Sequence, residues 1–258
     1  MWGAIIGDLA GSVYEYNQFK KISPISVKEL IQEKSFFSDD TILTIAILDA
    51  ILNDKNYEYY LKLYANNFMD YKPDNNPYFE YPFSPGFIDW VKGKKVGNSI
   101  GNGALMRISP IGYLFDSEEE IKKEVLKATS PSHDNKESIE LATVVATIIF
   151  YARKGYSKEK IISKLNLKFK YKKFKKFNMT CNETIDNCLY ALFTSDSFEE
   201  SLKKVISFGG DTDTNACIVG SMAEALYGID EELLNKAKLK IPSEFVKKLE
   251  KGYKMIYK

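Results

Sequence analysis

Apolar residues follow a helical period along most of the chain, and in two stretches they occupy nearly every position. One stretch fills residues 41–52, and the other ends at Leu226. A helix that is apolar on all faces belongs in a protein interior rather than at a surface. The pattern therefore predicts a central pair of buried helices with the remaining helices arranged around them.

Amphipathic patterns predict further helices on both sides of this pair. A helix over residues 2–13 carries Gly3, Gly7 and Gly11, and we interpret these as points of close approach because glycine is otherwise costly in a helix. The other predicted helices cover residues 57–71, 118–129, 138–153, 183–192, 198–206 and 243–257. Together they predict an all-α fold, formed as a single compact multi-helix domain over residues 1–258.

Three segments interrupt the helical pattern. Residues 19–34 are expected to form a loop with a short helix near 27–32. Residues 72–85 hold four of the eight prolines and predict a second loop. Residues 166–180 have the highest strand propensity in the chain, so we expect a small β-hairpin there.

Lysines are concentrated next to this expected hairpin. Residues 158–176 contain nine lysines, which alternate with aromatic residues from Lys168 to Lys172. Basic and aromatic residues in alternation can form an arm that binds nucleic acid. Lysines also protect an exposed strand edge from pairing with other chains, and we favour this second interpretation.

The charge balance and the cysteines narrow the class of protein. Lys and Arg number 36 against 35 Asp and Glu, a net charge of +1, which argues against a chain devoted to nucleic acid or to an anionic membrane. The sequence contains no run of eighteen apolar residues, so no membrane span is predicted. Three widely spaced cysteines without metal-ligand spacing are typical of a reduced, cytoplasmic protein. We expect a monomer.

Two clusters of carboxylates and hydroxyls stand directly before the buried helices. They are Ser38-Asp39-Asp40-Thr41 and Asp211-Thr212-Asp213-Thr214. One acid at each position would suffice as a helix cap. Adjacent carboxylates repel one another unless a positive charge compensates, and Mg²⁺ or Mn²⁺ prefers such oxygen ligands. The spacing alone leaves a pair of caps and a metal site equally open.

A glycine- and asparagine-rich loop over residues 97–103 precedes a short predicted helix. Such a loop exposes backbone N–H groups beside a helix N-terminus, which suits an anion such as phosphate, although a simple turn would have the same composition. His133 is the one histidine of the sequence, so zinc catalysis on two or three histidines is excluded. His133 itself could equally be an ordinary loop residue.

At these residues the sequence resembles the ADP-ribosylglycohydrolase family, and the resemblance extends over almost the whole chain. It rests on five motifs in order, and together they are specific. The motifs are Gly3-Ala4-Ile5-Ile6-Gly7-Asp8 with Gly11 and Glu15, then Phe37-Ser38-Asp39-Asp40-Thr41, Gly101-Asn102-Gly103-Ala104-Leu105-Met106-Arg107-Ile108-Ser109-Pro110, Ser132-His133, and Gly209-Gly210-Asp211-Thr212-Asp213-Thr214.

The resemblance implies a binuclear Mg²⁺ or Mn²⁺ site and hydrolysis that releases ADP-ribose from a protein side chain, such as arginine or serine, or from another ADP-ribosyl conjugate. The implied metal ligands are Ser38, Asp39, Asp40, Asp211, Asp213 and Thr214. The implied substrate contacts are Ser99, Gly101, Asn102, Gly103, Met106, Arg107 and His133. Either Glu15, which matches a glutamate at the mouth of the family's active site, or Asp213 is expected to act as the base.

One departure from the family pattern concerns the residues after His133. The family commonly has a second histidine or a proline there, whereas this chain has Asp134 and Asn135. Two other hypotheses stay open at this point. The chain could be a non-catalytic relative that only binds ADP-ribose, although it keeps every ligand-type residue. An all-α diphosphate site like that of the terpene synthases would need a third acid downstream of Asp40, and Ile42-Leu43-Thr44 provides none.

Overall fold

The computed structural model describes residues 1–73 and 82–256. Helices dominate these residues. In chain order they are α1 (Trp2–Lys20), α2 (Asp39–Leu52), α3 (Tyr57–Asn67), α4 (Pro85–Val91), α5 (Gly103–Met106), α6 (Ser109–Leu114), α7 (Glu118–Thr129), α8 (Lys136–Arg153), α9 (Lys158–Lys164), α10 (Cys181–Phe193), α11 (Phe198–Ser207), α12 (Thr212–Tyr227), α13 (Glu231–Lys238) and α14 (Ser243–Ile256).

The all-α prediction is confirmed. Residues 1–73 and 82–256 contain no strand, and extended pairing is limited to two isolated bridges, Asn98 with His133 and Gly101 with Thr180. The N-terminal helix runs to Lys20, about two turns further than predicted, and no helix forms at 27–32. Part of the proline-rich loop predicted for 72–85 lies outside the described residues.

The expected hairpin at 166–180 does not form. Residues 167–179 form neither helix nor strand. A side chain takes the place of a partner strand, because the Asn187 amide accepts from the Lys172 N–H at 2.8 Å and donates to the Lys172 carbonyl at 2.8 Å. Phe169 stacks on Phe193, and Tyr171 packs on Phe208. The alternation of lysine and aromatic residues therefore reflects rings that anchor the segment to α10 and α11 while the lysines face outward.

Both central helices are buried as predicted. Nearly every residue of α2 and the first three turns of α12 have little or no exposed surface. One hydrophobic cluster joins them to α1, α8, α10 and the C-terminal α14. No helix among the described residues is both long enough and apolar enough to cross a membrane.

The closest helix packing joins α1 to α12 through a row of glycines. A β-carbon on Gly3 would lie 2.0 Å from the Gly220 carbonyl oxygen, and one on Gly7 would lie 2.0 Å from the Ala216 carbonyl oxygen. Gly11 makes the same approach to Thr212. A side chain cannot be accommodated at such distances. The glycines therefore allow the close approach of the two backbones that the sequence predicted. The crossing brings the polar face of α1 against the N-terminus of α12.

Candidate functional site

The first acidic cluster is held in place from α1. Ser38 is the N-cap of α2 and accepts from the backbone N–H of Asp40. Asp8 reaches across from α1, and its Oδ2 accepts from Ser38 N at 2.8 Å, Thr41 N at 3.1 Å and the Thr41 hydroxyl at 2.5 Å. A carboxylate at a helix N-terminus is favoured by the exposed N–H groups and by the helix dipole. Asp8 therefore fixes the turn that carries Asp39 and Asp40.

The second acidic cluster is fixed by the Asn178 side chain and by the backbone of α1. The Asp211 N–H donates to Asn178 Oδ1 at 2.9 Å, and the Thr212 hydroxyl donates to the Gly11 carbonyl at 2.8 Å. Gly210 precedes the cluster with φ of +78°, and a β-carbon there would lie 2.2 Å from Asn178 Oδ1. Glycine is required at this position because side chains strain a left-handed backbone. The cluster thus begins α12 in one fixed orientation.

The two clusters meet as two overlapping groups of carboxylates. Asp8, Asp40 and Asp213 form one group, and Glu15, Asp211 and Asp213 form the other. Within each group, one oxygen atom from every residue lies within 4.8 Å of the others. Asp213 belongs to both groups, so it lies between two positions at which a cation could bind.

The electrostatics of these carboxylates call for positive charge. Burial and the neighbouring Asp213 raise the pKa of Asp8 to about 7. Burial, followed by the nearby acids, likewise holds the pKa of Glu15, Asp40 and Asp213 well above the ordinary range. Crowded acids in a dry environment are stable only as protonated groups or beside a cation.

The polar atoms of the site fit a hard divalent cation. Oδ1 of Asp8 and Oδ1 of Asp40 are buried and have no hydrogen-bond partner. Within residues 1–73 and 82–256, no lysine or arginine forms an ion pair with the acids of either group. The Ser38 and Thr214 hydroxyls lie 3.0 and 3.3 Å from Asp40 Oδ2. Carboxylates and hydroxyls without cationic partners are the donor set that Mg²⁺ or Mn²⁺ takes.

The structure brings most of the predicted metal ligands close together. Ser38, Asp40, Asp211, Asp213, Thr214 and the proposed base Glu15 lie together. Asp39 is half-buried beside them and belongs to neither group, so its ligand role stays a prediction. Asp8 is not among the ligands that the resemblance implies, yet it lies in one group with Asp40 and Asp213, and its Oδ1 has no hydrogen-bond partner. The signal for Asp8 was its place beside Gly7, at the close approach of two helices.

The glycine- and asparagine-rich loop borders the carboxylates. Asn102 Nδ2 donates to Asp211 Oδ2 at 2.6 Å, and its backbone N–H donates to the Met179 carbonyl at 2.9 Å. The Ser99 hydroxyl accepts from the Gly101 N–H at 3.0 Å. The loop is thus tied on one side to the second acidic cluster and on the other to the segment before α10. An anion on this loop would lie next to the cation positions.

His133 and Arg107 lie behind the loop and are both buried. A β-carbon on Gly103 would lie 3.8 Å from Cε1 and Nε2 of His133, so the imidazole packs against the loop. Arg107 contacts Ser132 and His133 and has only 1% of its surface exposed. Met106 is buried as well. Of the predicted substrate contacts, Arg107 and Met106 therefore lie deeper than the loop itself.

Comparison with known proteins identifies the family. The family model described as ADP-ribosylglycohydrolase matches residues 1–257. The chain belongs to the ADP-ribosylglycohydrolase family. Membership indicates a hydrolase that releases ADP-ribose from an acceptor, and it agrees with acidic clusters that could bind a metal ion.

Individual relatives agree with this assignment. A protein of Acanthamoeba polyphaga mimivirus, assigned by name to the ADP-ribosyl glycohydrolases, is 26% identical over 287 residues, covering 87% of this chain and 84% of its own length. The ADP-ribosylarginine hydrolase Tri1 of Pseudomonas putida (strain GB-1) is 21% identical over 261 residues, covering 88% of this chain and 69% of its own. A solved structure titled as an ADP-ribosylglycohydrolase-related protein complex has the same fold, with a TM-score of 0.75 at 18% identity over 98% of this chain and 95% of that chain.

Proposed function

We propose that this protein is a metal-dependent hydrolase that cleaves the bond between ADP-ribose and its acceptor, using two Mg²⁺ or Mn²⁺ ions. The observation that carries the proposal is the pair of carboxylate groups that share Asp213 beside the Asn102 loop. Helix capping requires one acid at each helix, whereas this arrangement collects acids from three helices without a cationic partner.

Each carboxylate group would hold one ion. Asp8, Asp40 and Asp213 would ligate the first, and Glu15, Asp211 and Asp213 the second. The hydroxyls of Ser38 and Thr214 lie close enough to Asp40 to complete the oxygen set, and Asp39 can turn in from the half-buried rim. Bound divalent ions supply charge stabilisation and lower the pKa of a coordinated water.

The chain's own groups orient the sugar and move the proton. Asn102 is fixed between Asp211 and Met179, so the loop backbone is preorganised beside the ribose position. Positive charge develops at the anomeric carbon during cleavage, and the surrounding carboxylates stabilise it. Glu15 is the half-buried member of its group, so it can accept the proton of the attacking water and exchange it with solvent. Asp213, buried between both groups, is the alternative base.

The acceptor is the group from which ADP-ribose is released. A relative named as an ADP-ribosylarginine hydrolase makes ADP-ribosylarginine the first candidate. ADP-ribosylserine and small conjugates are joined to ADP-ribose at the same anomeric carbon, although through oxygen rather than nitrogen. ADP-ribosylated nucleic acid is a weaker candidate, because the aromatic rings of the lysine-rich segment are used for anchoring rather than for base stacking.

A panel of defined conjugates tests the function. ADP-ribose linked to arginine, to serine, to a nucleic-acid end and to a small alcohol is incubated with the protein in Mg²⁺, in Mn²⁺ and in chelator. We expect release from at least one conjugate with metal and none in chelator. Release that is undiminished by chelator would contradict the metal mechanism.

The same panel distinguishes an enzyme from a protein that only binds ADP-ribose. Tight binding of ADP-ribose without release from any conjugate would favour the binding protein. Asp196→Asn provides a matched control, because Asp196 is an exposed acid that pairs with Lys158 on the protein surface. This variant should keep the wild-type rate on whichever conjugate is cleaved.

A further inference from the structure

Arg107 is a buried guanidinium without a carboxylate partner. It has 1% of its surface exposed, forms no ion pair among the described residues, and its Nη1 has no hydrogen-bond partner. Burial lowers its pKa only to about 10, so it keeps its charge at neutral pH. An unpaired buried charge is destabilising. Its presence is better explained by what the charge does to its neighbours than by a contribution to stability.

Those neighbours are Ser132 and His133. Arg107 Nη2 donates to the Ser132 hydroxyl at 2.6 Å and lies 3.4 Å from His133 Nδ1. The Ser132 hydroxyl is itself 2.8 Å from Nδ1. A guanidinium has only donors, and the serine hydroxyl accepts from it and so has its own proton free to donate. Arg107 can only donate towards Nδ1, and Ser132 has its proton free to donate there, so this geometry favours an unprotonated Nδ1.

The opposite edge of the ring faces the loop. Nε2 lies 3.7 Å from where a β-carbon of Gly101 would be and 3.8 Å from that of Gly103. The backbone behind the ring is also fixed, since the Asp134 N–H donates to the Gly97 carbonyl at 2.7 Å and the Ser99 N–H donates to the Ser132 carbonyl at 3.1 Å. These bonds fix the backbone that carries the ring, and turning the ring over would break the contact between Nδ1 and the Ser132 hydroxyl.

We propose that Arg107 is a positioning residue which, with Ser132, holds His133 neutral in the tautomer with its proton on Nε2, so that His133 donates a hydrogen bond to substrate on the Gly101–Gly103 loop. In this arrangement Arg107 does not itself touch the substrate. The charged group acting on His133 is Arg107. Burial of the ring, followed by that charge, holds the pKa of His133 below its ordinary range, against a smaller opposing effect from a hydrogen bond with the Gly101 backbone.

The role on substrate rests on the proposed function, but the tautomer does not. His133 is the one histidine of the chain, so its imidazole gives a unique signal in a long-range ¹H–¹⁵N correlation spectrum. In the free wild-type protein we expect a protonated Nε2, an unprotonated Nδ1 and no titration between pH 5 and 8. A protonated Nδ1, or a ring that titrates near pH 6.5, would overturn the proposal without any variant.

Variants test whether Arg107 is the cause. Arg107→Met should give mixed tautomers and bring the titration into the range of pH 5 to 8, whereas Ser132→Ala should keep the Nε2 proton because Arg107 still faces Nδ1. Arg153→Met is the matched control, since Arg153 donates to the Gly112 and Phe115 carbonyls on another side of the protein. An unchanged tautomer and pKa in a folded Arg107→Met protein would refute the proposed role.

Binding of free ADP-ribose, measured by calorimetry in Mg²⁺, tests whether Arg107 acts through His133. We expect His133→Ala and Arg107→Met each to weaken binding about tenfold, the size expected for one hydrogen bond. The double variant should be no weaker than His133→Ala alone, because the two residues form one pathway. Additive losses would mean that Arg107 contacts the substrate directly. If wild type binds no ADP-ribose, the proposed function fails, and the tautomer result still decides the role of Arg107.

Discussion

At the level of single residues, Asp213 has a place that no other acid of the site shares. It lies in both carboxylate groups, whereas Asp40 and Asp211 each lie in one. A ligand that bridges two ions should matter to both, and a ligand of one ion should matter chiefly to that one.

We therefore expect Asp213→Asn to abolish high-affinity binding of both Mg²⁺ ions, and Asp40→Asn to remove one binding event while weakening the other less. Titration calorimetry with Mg²⁺ on the purified protein measures this. Asp196→Asn should bind two ions like wild type. Two intact binding events in Asp213→Asn would show that the two groups are independent sites or not metal sites.

The two carboxylate oxygens of Asp8 have different surroundings. Its Oδ2 accepts three hydrogen bonds from the turn before α2, while its buried Oδ1 has no partner. Asp8→Asn keeps one oxygen for the turn but loses the charge. We expect a folded protein whose Mg²⁺ affinity falls at least tenfold, measured by calorimetry alongside circular dichroism. Unchanged affinity would restrict Asp8 to supporting the turn.

The sequence could identify the site residues that lie in contiguous motifs. Ser38 to Thr41 and Asp211 to Thr214 are contiguous motifs before apolar runs, so their chemistry and their helix position could be predicted together. The grouping of Asp8 with Asp213 depends on a helix crossing between residues far apart in sequence. The depth of Arg107 likewise depends on packing around it, which no local motif encodes.

At the level of secondary-structure elements, the α1–α12 crossing controls the site. Gly7 lies one residue before Asp8, and its Cα faces the Ala216 carbonyl. We expect Gly7→Ala to destabilise the protein by about 3 kcal/mol, the upper part of the usual cost of overpacking, because its β-carbon would lie 2.0 Å from a backbone oxygen that cannot turn aside. Urea unfolding monitored by circular dichroism measures the change.

Gly86→Ala is the matched control for this substitution. Gly86 is exposed in α4, and the nearest atom to its β-carbon would be the flexible Lys95 Nζ at 3.8 Å. Alanine has the higher helix propensity, so this variant should be unchanged or slightly more stable. Equal, small effects at Gly7 and Gly86 would mean that the crossing tolerates a wider separation than its glycines indicate.

The secondary-structure prediction was right for the two central helices and wrong for the segment at 166–180. Helices α2 and α12 are encoded by apolar runs that are longer than a typical strand and therefore favour buried helices. The segment at 166–180 has strand propensity, but a hairpin needs a second strand to satisfy its backbone, and the Asn187 side chain satisfies Lys172 instead. Propensity describes the conformation of each residue, and it does not identify the group that pairs with it.

At the level of the whole molecule, the crowded acids link stability to pH and to metal. Asp8 has a folded pKa of about 7, above the ordinary value of 3.8, so the folded state binds more protons than the unfolded chain between those pH values. Stability contributed by this group is fully present below pH 3.8 and is lost as the pH rises through 7. Glu15, Asp40 and Asp213 contribute in the same direction, because burial and mutual repulsion raise the pKa of each well above its ordinary value.

In chelator we therefore expect the melting temperature to fall steadily from pH 5 to pH 8. Acids whose pKa is lowered by surface partners, such as Asp116 beside Lys154, titrate below this window and leave the trend unchanged. A divalent ion binds the deprotonated carboxylates, so Mg²⁺ should raise the melting temperature more at pH 8 than at pH 6. Scanning calorimetry at four pH values with and without Mg²⁺ measures both trends. A melting temperature in chelator that is flat or rises over this range would mean that the acids already have a positive partner in the folded protein, and the case for two cation positions around Asp213 would fail with it.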